Sequence, residues 1–202
     1  MIKLVTSPTS PYGRKIRVLL AEASLEFELI KALPWEPDTR ISHLNPLGKI
    51  PVLVLEDGTT LYDSRVIGEY LCGLGPGSHL MPKEFYPRIM VKRFEALADG
   101  ICDAGQAILV ERRRAATCQD DTWILRQQNK IENAVDVLSE DLGENPWFVE
   151  GALSMADIAI NCALGFLLFR FPEMNYLSGY QNLKSFTDRL SHRKSFLETV
   201  PA

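Results

Sequence analysis

The first 75 residues alternate short runs rich in β-branched and apolar residues with runs in which apolar residues recur at helical spacing. An Asp-Gly pair separates two of the strand-like runs, which is typical of an antiparallel hairpin. The elements predicted from this pattern are strands at 2–6, 27–31, 51–56 and 59–62, and helices from Pro11 to about Ala23 and from Ser64, which is expected to cap its helix. With a loop or short helix after the second strand, the order is βαβ-α-ββα, an α/β domain.

The pattern changes near residue 73. Residues 73–82 contain three glycines and two prolines without apolar periodicity, which indicates a linker. Helical spacing dominates beyond residue 86, and the helices predicted there are 86–114, 121–142, 154–169 and 183–191. Ser154 and Asp157 stand at capping-box spacing, so they are predicted to begin a buried helix. We therefore predict an α/β domain at 1–75, a linker at 76–83 and an all-α domain at 84–202.

The composition is that of an ordinary globular protein, with 46% hydrophobic and 24% charged residues among 202. The 22 basic and 26 acidic residues give a net charge of -4, and neither half has a basic excess. Because binding to a phosphate backbone requires clustered Lys and Arg, nucleic acid and anionic membranes are disfavoured as partners. The one tight basic run, Arg112-Arg113-Arg114, is interpreted as a solvated collar on a helix.

Membrane and metal binding are also disfavoured. No apolar run approaches the ~20 residues that cross a bilayer, and the first residues lead into a strand without a leader, so a cytoplasmic protein is predicted. The cysteines show no C-x-x-C pair and no histidine cluster beside them, so no metal site is expected. All four are interpreted as packing residues, namely Cys72, Cys102, Cys118 and Cys162.

The turn between the first strand and the first helix contains Ser10 followed by Pro11. Serine then proline is typical of an N-cap and a first helical position, and the simplest interpretation is that Ser10 only begins the helix. A helix N-terminus also offers free N–H groups and a positive dipole, which favour a bound anion, including a thiolate. Ser10 is therefore also a candidate hydroxyl donor to a thiolate.

The second candidate feature is Pro51, which begins a strand directly after Ile50. A cis bond here would turn the backbone of Ile50 outward, so that its N–H and C=O pair with an extended peptide. The alternative interpretation is a plain strand start with no ligand.

The third feature is Asp63-Ser64, at the start of another helix. A carboxylate, a hydroxyl and free amides together suit a zwitterionic amino-acid group. Taken alone, this pair is simply another helix cap.

The order and spacing of these features resemble the cytosolic glutathione transferase family, in its bacterial type with serine in the first-helix motif. The resemblance covers essentially the whole chain. It rests on SPYGRK at 10–15, NPLGKIPVL at 45–53, DSRVI at 63–67 and SMADIAI at 154–160. It implies a thioredoxin-like first domain, an all-helical second domain and glutathione as co-substrate.

The resemblance also implies how glutathione is held. The backbone of Ile50, before Pro51, pairs with the cysteinyl part, and Lys49 reaches the glycyl carboxylate. Asp63 and Ser64 bind the γ-glutamyl group, although family members often carry the longer Glu at the first of these positions.

The hydroxyl beside the sulfur is assigned to Ser10, with Thr9 as the second candidate, and the choice between them stays open. No cysteine occupies this turn, which disfavours the branch that reduces mixed disulfides. The pocket for a small apolar electrophile is expected between the domains. Its candidate residues are Pro11, Tyr12 and Ile108, with Ala104 and Phe166 considered beside them.

The long helix that begins the second domain forms the dimer contact in related proteins, so a homodimer is expected. Single polar residues on that helix are interpreted as a solvated face, namely Arg93, Asp99 and Asp103.

The activity implied is conjugation of the glutathione thiolate to an electrophile. A free thiol has a pKa of ~8.5, and each unit by which the site lowers that pKa gives about ten times more thiolate near neutral pH. A glutathione-dependent isomerase or dehalogenase would use the same site. A non-catalytic ligand carrier or stress regulator would keep the fold without turnover.

Overall fold

The computed structural model of the chain describes residues 1–36, 40–149 and 151–201. Its sheet has four strands in the order β2-β1-β3-β4, with β1 parallel to β2 and β3 antiparallel to both β1 and β4. The strands are β1 (Ile2–Thr6), β2 (Phe27–Lys31), β3 (Val52–Val54) and β4 (Thr60–Leu61). The predicted hairpin is present: Gly58 turns with φ +87° and Asp57 accepts a hydrogen bond from the Thr59 N–H.

Three helices accompany this sheet, α1 (Pro11–Glu22), α2 (Ile41–Leu44) and α3 (Ser64–Gly73). Ser10 caps α1 as predicted. The predicted cap of α3 was wrong by one residue: Asp63 is the N-cap, and its carboxylate accepts from the Arg65 N–H at 2.9 Å. Asp and Ser side chains are both good N-caps. Asp63 takes this role because it is the residue directly before the first residue of the helix.

The segment after α3 is more regular than a linker. Gly75–Leu80 forms a 3-10 helix, because Gly and Pro tolerate tight turns without apolar periodicity. The domain limits at 75 and 84 remain predictions.

The second half is helical, which confirms the predicted fold class. Its helices are α4 (Phe85–Glu111), α5 (Asp121–Leu142), α6 (Met155–Arg170), α7 (Gln181–Ser191) and α8 (Lys194–Leu197), with short 3-10 turns at Ala116–Cys118 and Pro172–Met174. The short α8 was not predicted. Helix α6 packs against both α4 and α1 and is buried at every position from Met155 to Leu164.

The predicted capping box begins this buried helix. The carboxylate of Asp157 accepts from the backbone N–H of Ser154 at 2.8 Å and from that of Phe148 at 3.0 Å. The interpretation of the cysteines holds for three of them, which are buried, but was wrong for Cys118, which is exposed. The 3-10 turn that carries Cys118 lies outside the packed helices. Among the helices of the described ranges, none has the length and apolar character that spanning a membrane requires.

Candidate functional site

The three candidate features meet at one edge of the sheet. The register pairs Val5 with Val52 and Leu53 with Leu61. Continued along the strands, it brings Thr6, Pro51 and Asp63 level on neighbouring strands, ~4.8 Å apart from one strand to the next. The turn after β1, the residue before β3 and the residue before α3 therefore lie side by side.

Ser10 lies at the first of these positions and is buried. Its Oγ accepts from the Gly13 N–H at 3.1 Å, so a lone pair is used and its proton is left for another acceptor. Thr9, half-buried in the same turn, forms no hydrogen bond within the described residues. The geometry keeps both hydroxyls as candidates.

Gly13 fixes this turn against the sheet. A Cβ at Gly13 would lie 1.8 Å from Oγ1 of Thr6 at the end of β1. Only glycine allows this approach. The first turn of α1 can therefore lie directly against the end of β1, which positions the intervening turn that contains Ser10.

The loop before β3 presents an unpaired backbone. The peptide bonds before Pro51 and before Asp63 are both cis. In the ranges that the structure describes, the N–H and C=O of Ile50 have no hydrogen-bond partner. The buried Asn45 orders this loop, because its side chain donates to the Lys49 carbonyl at 2.9 Å. The Lys49 side chain is exposed.

At the third position Asp63 is held by Arg65. The Arg65 guanidinium donates to the Asp63 carboxylate at 2.8 Å. Partial burial would raise the pKa of Asp63, but the hydrogen bonds from Arg65 outweigh it and lower the pKa. The carboxylate is therefore ionised and can pair with an ammonium group. Ser64 beside it is buried.

Lys15 is a residue of the site region that the sequence reasoning missed. Its side chain is 2% exposed, and Nζ donates to Asp99 at 2.8 Å and to Glu95 at 3.1 Å. Burial alone would lower the pKa of Lys15, but the two carboxylates raise it. One feature of the sequence could have indicated this burial: Lys15 directly precedes Ile16, which lies on the buried face of α1. The interpretation of Asp99 as part of a solvated face was wrong, because its carboxylate forms an ion pair with the buried Lys15 side chain.

The candidate pocket residues are only partly brought together. Pro11 and Tyr12 are at the start of α1, and the Tyr12 hydroxyl donates to Asp103. Burial, with acidic neighbours, raises the pKa of Tyr12 above its usual range, so the phenol stays protonated. Ile108 is 0% exposed within the helical core, so the structure does not place it on a surface that a substrate contacts. The same holds for Ala104 and Phe166, which are buried.

Two family models match the chain, the glutathione S-transferase N-terminal domain over residues 9–74 and the glutathione S-transferase C-terminal domain over residues 121–189. The chain belongs to the glutathione S-transferase family. The first match spans every residue predicted to hold glutathione. Within the described residues, no cluster of His, Cys, Asp or Glu is suited to a metal ion.

Individual relatives from this family cover almost the entire chain. The uncharacterized GST-like protein YibF of Escherichia coli (strain K12) is 38% identical over 205 residues, covering 99% of this chain and 98% of that protein. A glutathione S-transferase from Methylobacillus flagellatus, crystallised with glutathione, is 42% identical with a TM-score of 0.97 over 100% of both chains. One from Methylobacterium radiotolerans, in complex with glutathione sulfonate, is 37% identical with a TM-score of 0.95, over 99% of this chain and 94% of that one.

Proposed function

We propose that this protein is a glutathione transferase that binds glutathione, stabilises its thiolate and conjugates it to small hydrophobic electrophiles. The observation that carries the proposal is the strand register that brings the end of β1, which leads into the turn with Ser10, level with Pro51 and Asp63. Two solved relatives hold glutathione or its sulfonate on the same fold.

The spacing of this edge suits a tripeptide. Two inter-strand steps separate the end of β1 from Asp63, or ~10 Å, which is about the span of three extended residues. In the proposed complex Asp63 and Ser64 bind the γ-glutamyl ammonium and carboxylate. The free backbone of Ile50, held before Pro51, pairs with the cysteinyl residue.

Contacts at both ends of the proposed glutathione ligand determine where its cysteinyl residue lies. Lys49, exposed at the loop before β3, pairs with the glycyl carboxylate. The cysteinyl sulfur then lies at the N-terminus of α1, beside the hydroxyls of Ser10 and Thr9. A hydroxyl proton and the positive end of the helix both favour the thiolate over the thiol, which lowers the thiol pKa.

The reaction follows from that placement. The thiol proton leaves to solvent, the thiolate attacks an electrophilic carbon, a C–S bond forms and the leaving group departs with its electron pair. Because the site holds the thiolate and the electrophile next to each other, the rate of the reaction rises through proximity. Pro11 and Tyr12, at the start of α1, contact the electrophile in this proposal.

Replacement of the two hydroxyls tests the assignment. Ser10→Ala is expected to lower kcat with chlorodinitrobenzene by roughly ten- to a hundredfold, because a hydrogen bond to a charged group contributes about 1.5–3 kcal/mol. Glutathione affinity, measured by calorimetry, should change little. Thr9→Val is the matched variant, since it removes only a hydroxyl.

The outcomes separate the alternatives. A loss confined to Thr9→Val would assign the sulfur contact to Thr9, and unchanged turnover in both variants would remove hydroxyl activation from the mechanism. Glutathione binding with no turnover over a broad electrophile panel would support the ligand carrier or regulatory protein instead.

We also propose that the protein acts as a homodimer in the cytoplasm, where glutathione is kept reduced. Large apolar side chains are exposed along α3 and the start of α4, and a surface of this kind is typical of a protein contact. They are Val66, Tyr70, Phe85, Tyr86 and Ile89. Light scattering should give twice the chain mass; a monomer mass would contradict this part of the proposal.

A further inference from the structure

Two contacts define the side of α4 that faces α1. Asp99 pairs with Lys15, and Asp103 accepts a hydrogen bond from the Tyr12 hydroxyl. Asp99 and Asp103 are four residues apart, so they lie one above the other on the same side of their helix. Their partners are three residues apart on α1, so matching sides of the two helices lie against each other.

The same contacts give the direction of α4. They run toward the start of α1 and toward the end of α4, so the two helices are antiparallel here. Helix α4 continues from Asp103 to Glu111, which is ~12 Å at 1.5 Å per residue. Helix α1, in contrast, begins at Pro11, one residue before Tyr12. The last part of α4 therefore extends beyond the helix start that Ser10 caps.

This part of α4 differs in burial from one side to the other. The side that faces α1 continues four and seven residues after Asp103, at Ala107 and Val110. Ala107 is half-buried and Val110 is 44% exposed. The residues expected from the sequence to line the electrophile pocket, Ala104 and Ile108, are each turned by one position, ~100° around the helix, and are buried. The surface of α4 that a ligand can contact is therefore the side that carries Asp103.

Asp103 gives this side a negative charge that no basic side chain neutralises. It is exposed, and it forms no ion pair with a described residue. None of the residues outside the described ranges is basic, namely Pro37, Asp38, Thr39, Glu150 and Ala202. The Tyr12 hydroxyl donates to one carboxylate oxygen, and no described residue donates to the other. The second oxygen is thus available to a ligand.

Tyr12 connects this carboxylate to the proposed position of the sulfur. It follows Ser10 by two residues in the first turn of α1, and its hydroxyl contacts Asp103. The carboxylate therefore lies within the reach of one tyrosine side chain from the helix start.

We propose that Asp103 determines electrophile specificity, and that the preferred electrophiles have a short apolar chain that ends in a cation, such as an ammonium group. This inference rests on the proposed function. The thiolate beside Ser10 attacks the electrophilic carbon, and the cation at the other end of the chain binds the free oxygen of Asp103. A cation here is attracted by both the carboxylate and the thiolate, whereas an anionic electrophile is repelled by both.

Binding of two glutathione conjugates of equal length tests the proposal without requiring turnover. S-hexyl glutathione ends in a methyl group, and S-(5-aminopentyl) glutathione ends in an ammonium group at the same place. For Asp103→Asn, calorimetry should show about a fivefold fall in the affinity for the ammonium conjugate relative to the hexyl conjugate. The amide keeps the size of the side chain and removes only its charge, and a partly exposed ion pair accounts for an effect of this size.

Tyr12→Phe tests the positioning of the carboxylate. The variant keeps the aromatic ring but no longer donates to Asp103, so the same affinity ratio should fall about twofold.

The matched control is Asp136→Asn. Asp136 is an exposed carboxylate that also accepts from a tyrosine hydroxyl, that of Tyr180, but it lies on α5. This variant should leave the affinity ratio unchanged.

Three results would overturn the proposal. An equal loss for both conjugates in Asp103→Asn would mean that Asp103 only joins α4 to α1. An unchanged ratio in that variant would mean that the cation does not reach the carboxylate. An equal fall of the ratio in Asp136→Asn would mean that the ratio reports only the net charge of the protein.

Failure of the proposed function is distinguishable. No turnover of chlorodinitrobenzene, with the fall in the affinity ratio intact, would contradict the transferase activity and support the role of Asp103 in ligand selection. No binding of either conjugate to the unmodified protein would overturn both proposals.

Discussion

Helix α1 is joined to the helical domain by ion pairs near both of its ends, and the two junctions differ in burial. Near its start, Lys15 and Glu95 are 2% and 1% exposed. At its end, Glu22 pairs with Arg193 at 2.8 Å, and the arginine side chain is 42% exposed. The first junction lies beside the proposed glutathione site and the second lies in an open groove with Ser195.

The difference shows that the number of ion pairs says little about what each contributes. A partly exposed pair is screened by water and contributes about 0–1 kcal/mol. Removing one partner of a buried pair leaves an uncompensated charge in the interior, which costs about 3–5 kcal/mol. We therefore expect the start of α1 to be held in place far more firmly than its end.

The largest expected effect is that of Lys15→Met. It removes the buried ammonium group from between the carboxylates of Glu95 and Asp99, whose remaining cations are more distant, Lys92 at 3.4 Å and Arg65 at 3.9 Å. The free energy of unfolding should therefore fall by about 3–5 kcal/mol in urea denaturation at neutral pH. The control is Lys194→Met, because Lys194 is 86% exposed, and its loss should be below about 0.5 kcal/mol. Equal losses in the two variants would contradict the ranking of a buried ion pair above an exposed one, since Lys194 pairs only with the exposed Glu198 among the described residues.

An intermediate effect is expected on glutathione affinity. Arg65 orients the Asp63 carboxylate, so Arg65→Gln should weaken glutathione binding about tenfold by calorimetry, since the charge-assisted pair is lost. Arg193→Gln removes an arginine at the other end of α1 and should change the affinity less than twofold. If the two variants weakened binding equally, the functional distinction between the ends would fail.

The smallest effect is expected for Glu22→Gln, about 1 kcal/mol of unfolding free energy. Burial would raise the pKa of Glu22, but hydrogen bonds from Arg193 and Ser195 lower it below its ordinary 4.5. The contribution of Glu22 to the free energy of unfolding is thus fully present above pH 4.5. It is lost as the pH falls through the lower pKa that Glu22 has in the folded state. Urea denaturation of both proteins between neutral and acidic pH should show their difference shrinking only at the acidic end; a difference that grows there would contradict this sign.

Local features were predicted well because their physics is local. The Asp57-Gly58 turn and the Ser154–Asp157 capping box are each complete within a few residues. The one-residue error at the start of α3 shows the limit of this reasoning, because Asp63 and Ser64 are both good caps and backbone geometry selects between them.

Contacts between distant segments were not predictable in the same way. Lys15 and Asp99 are 84 positions apart, and a carboxylate on a long amphipathic helix has the same local pattern whether it faces water or a buried lysine. Ile108 illustrates the converse, since an apolar residue at helical spacing suits a pocket wall as well as the core.

The sequence by itself determined most of the elements, the caps at Ser10 and Ser154, and the order of three candidate ligand-binding motifs along the chain, because each of these depends on backbone preferences and on neighbours within a turn. Only the tertiary structure decided which charges are buried together and that Ile108 lies in the core. Those outcomes depend on desolvation and on partners from other elements, and neither is encoded within a local stretch of residues.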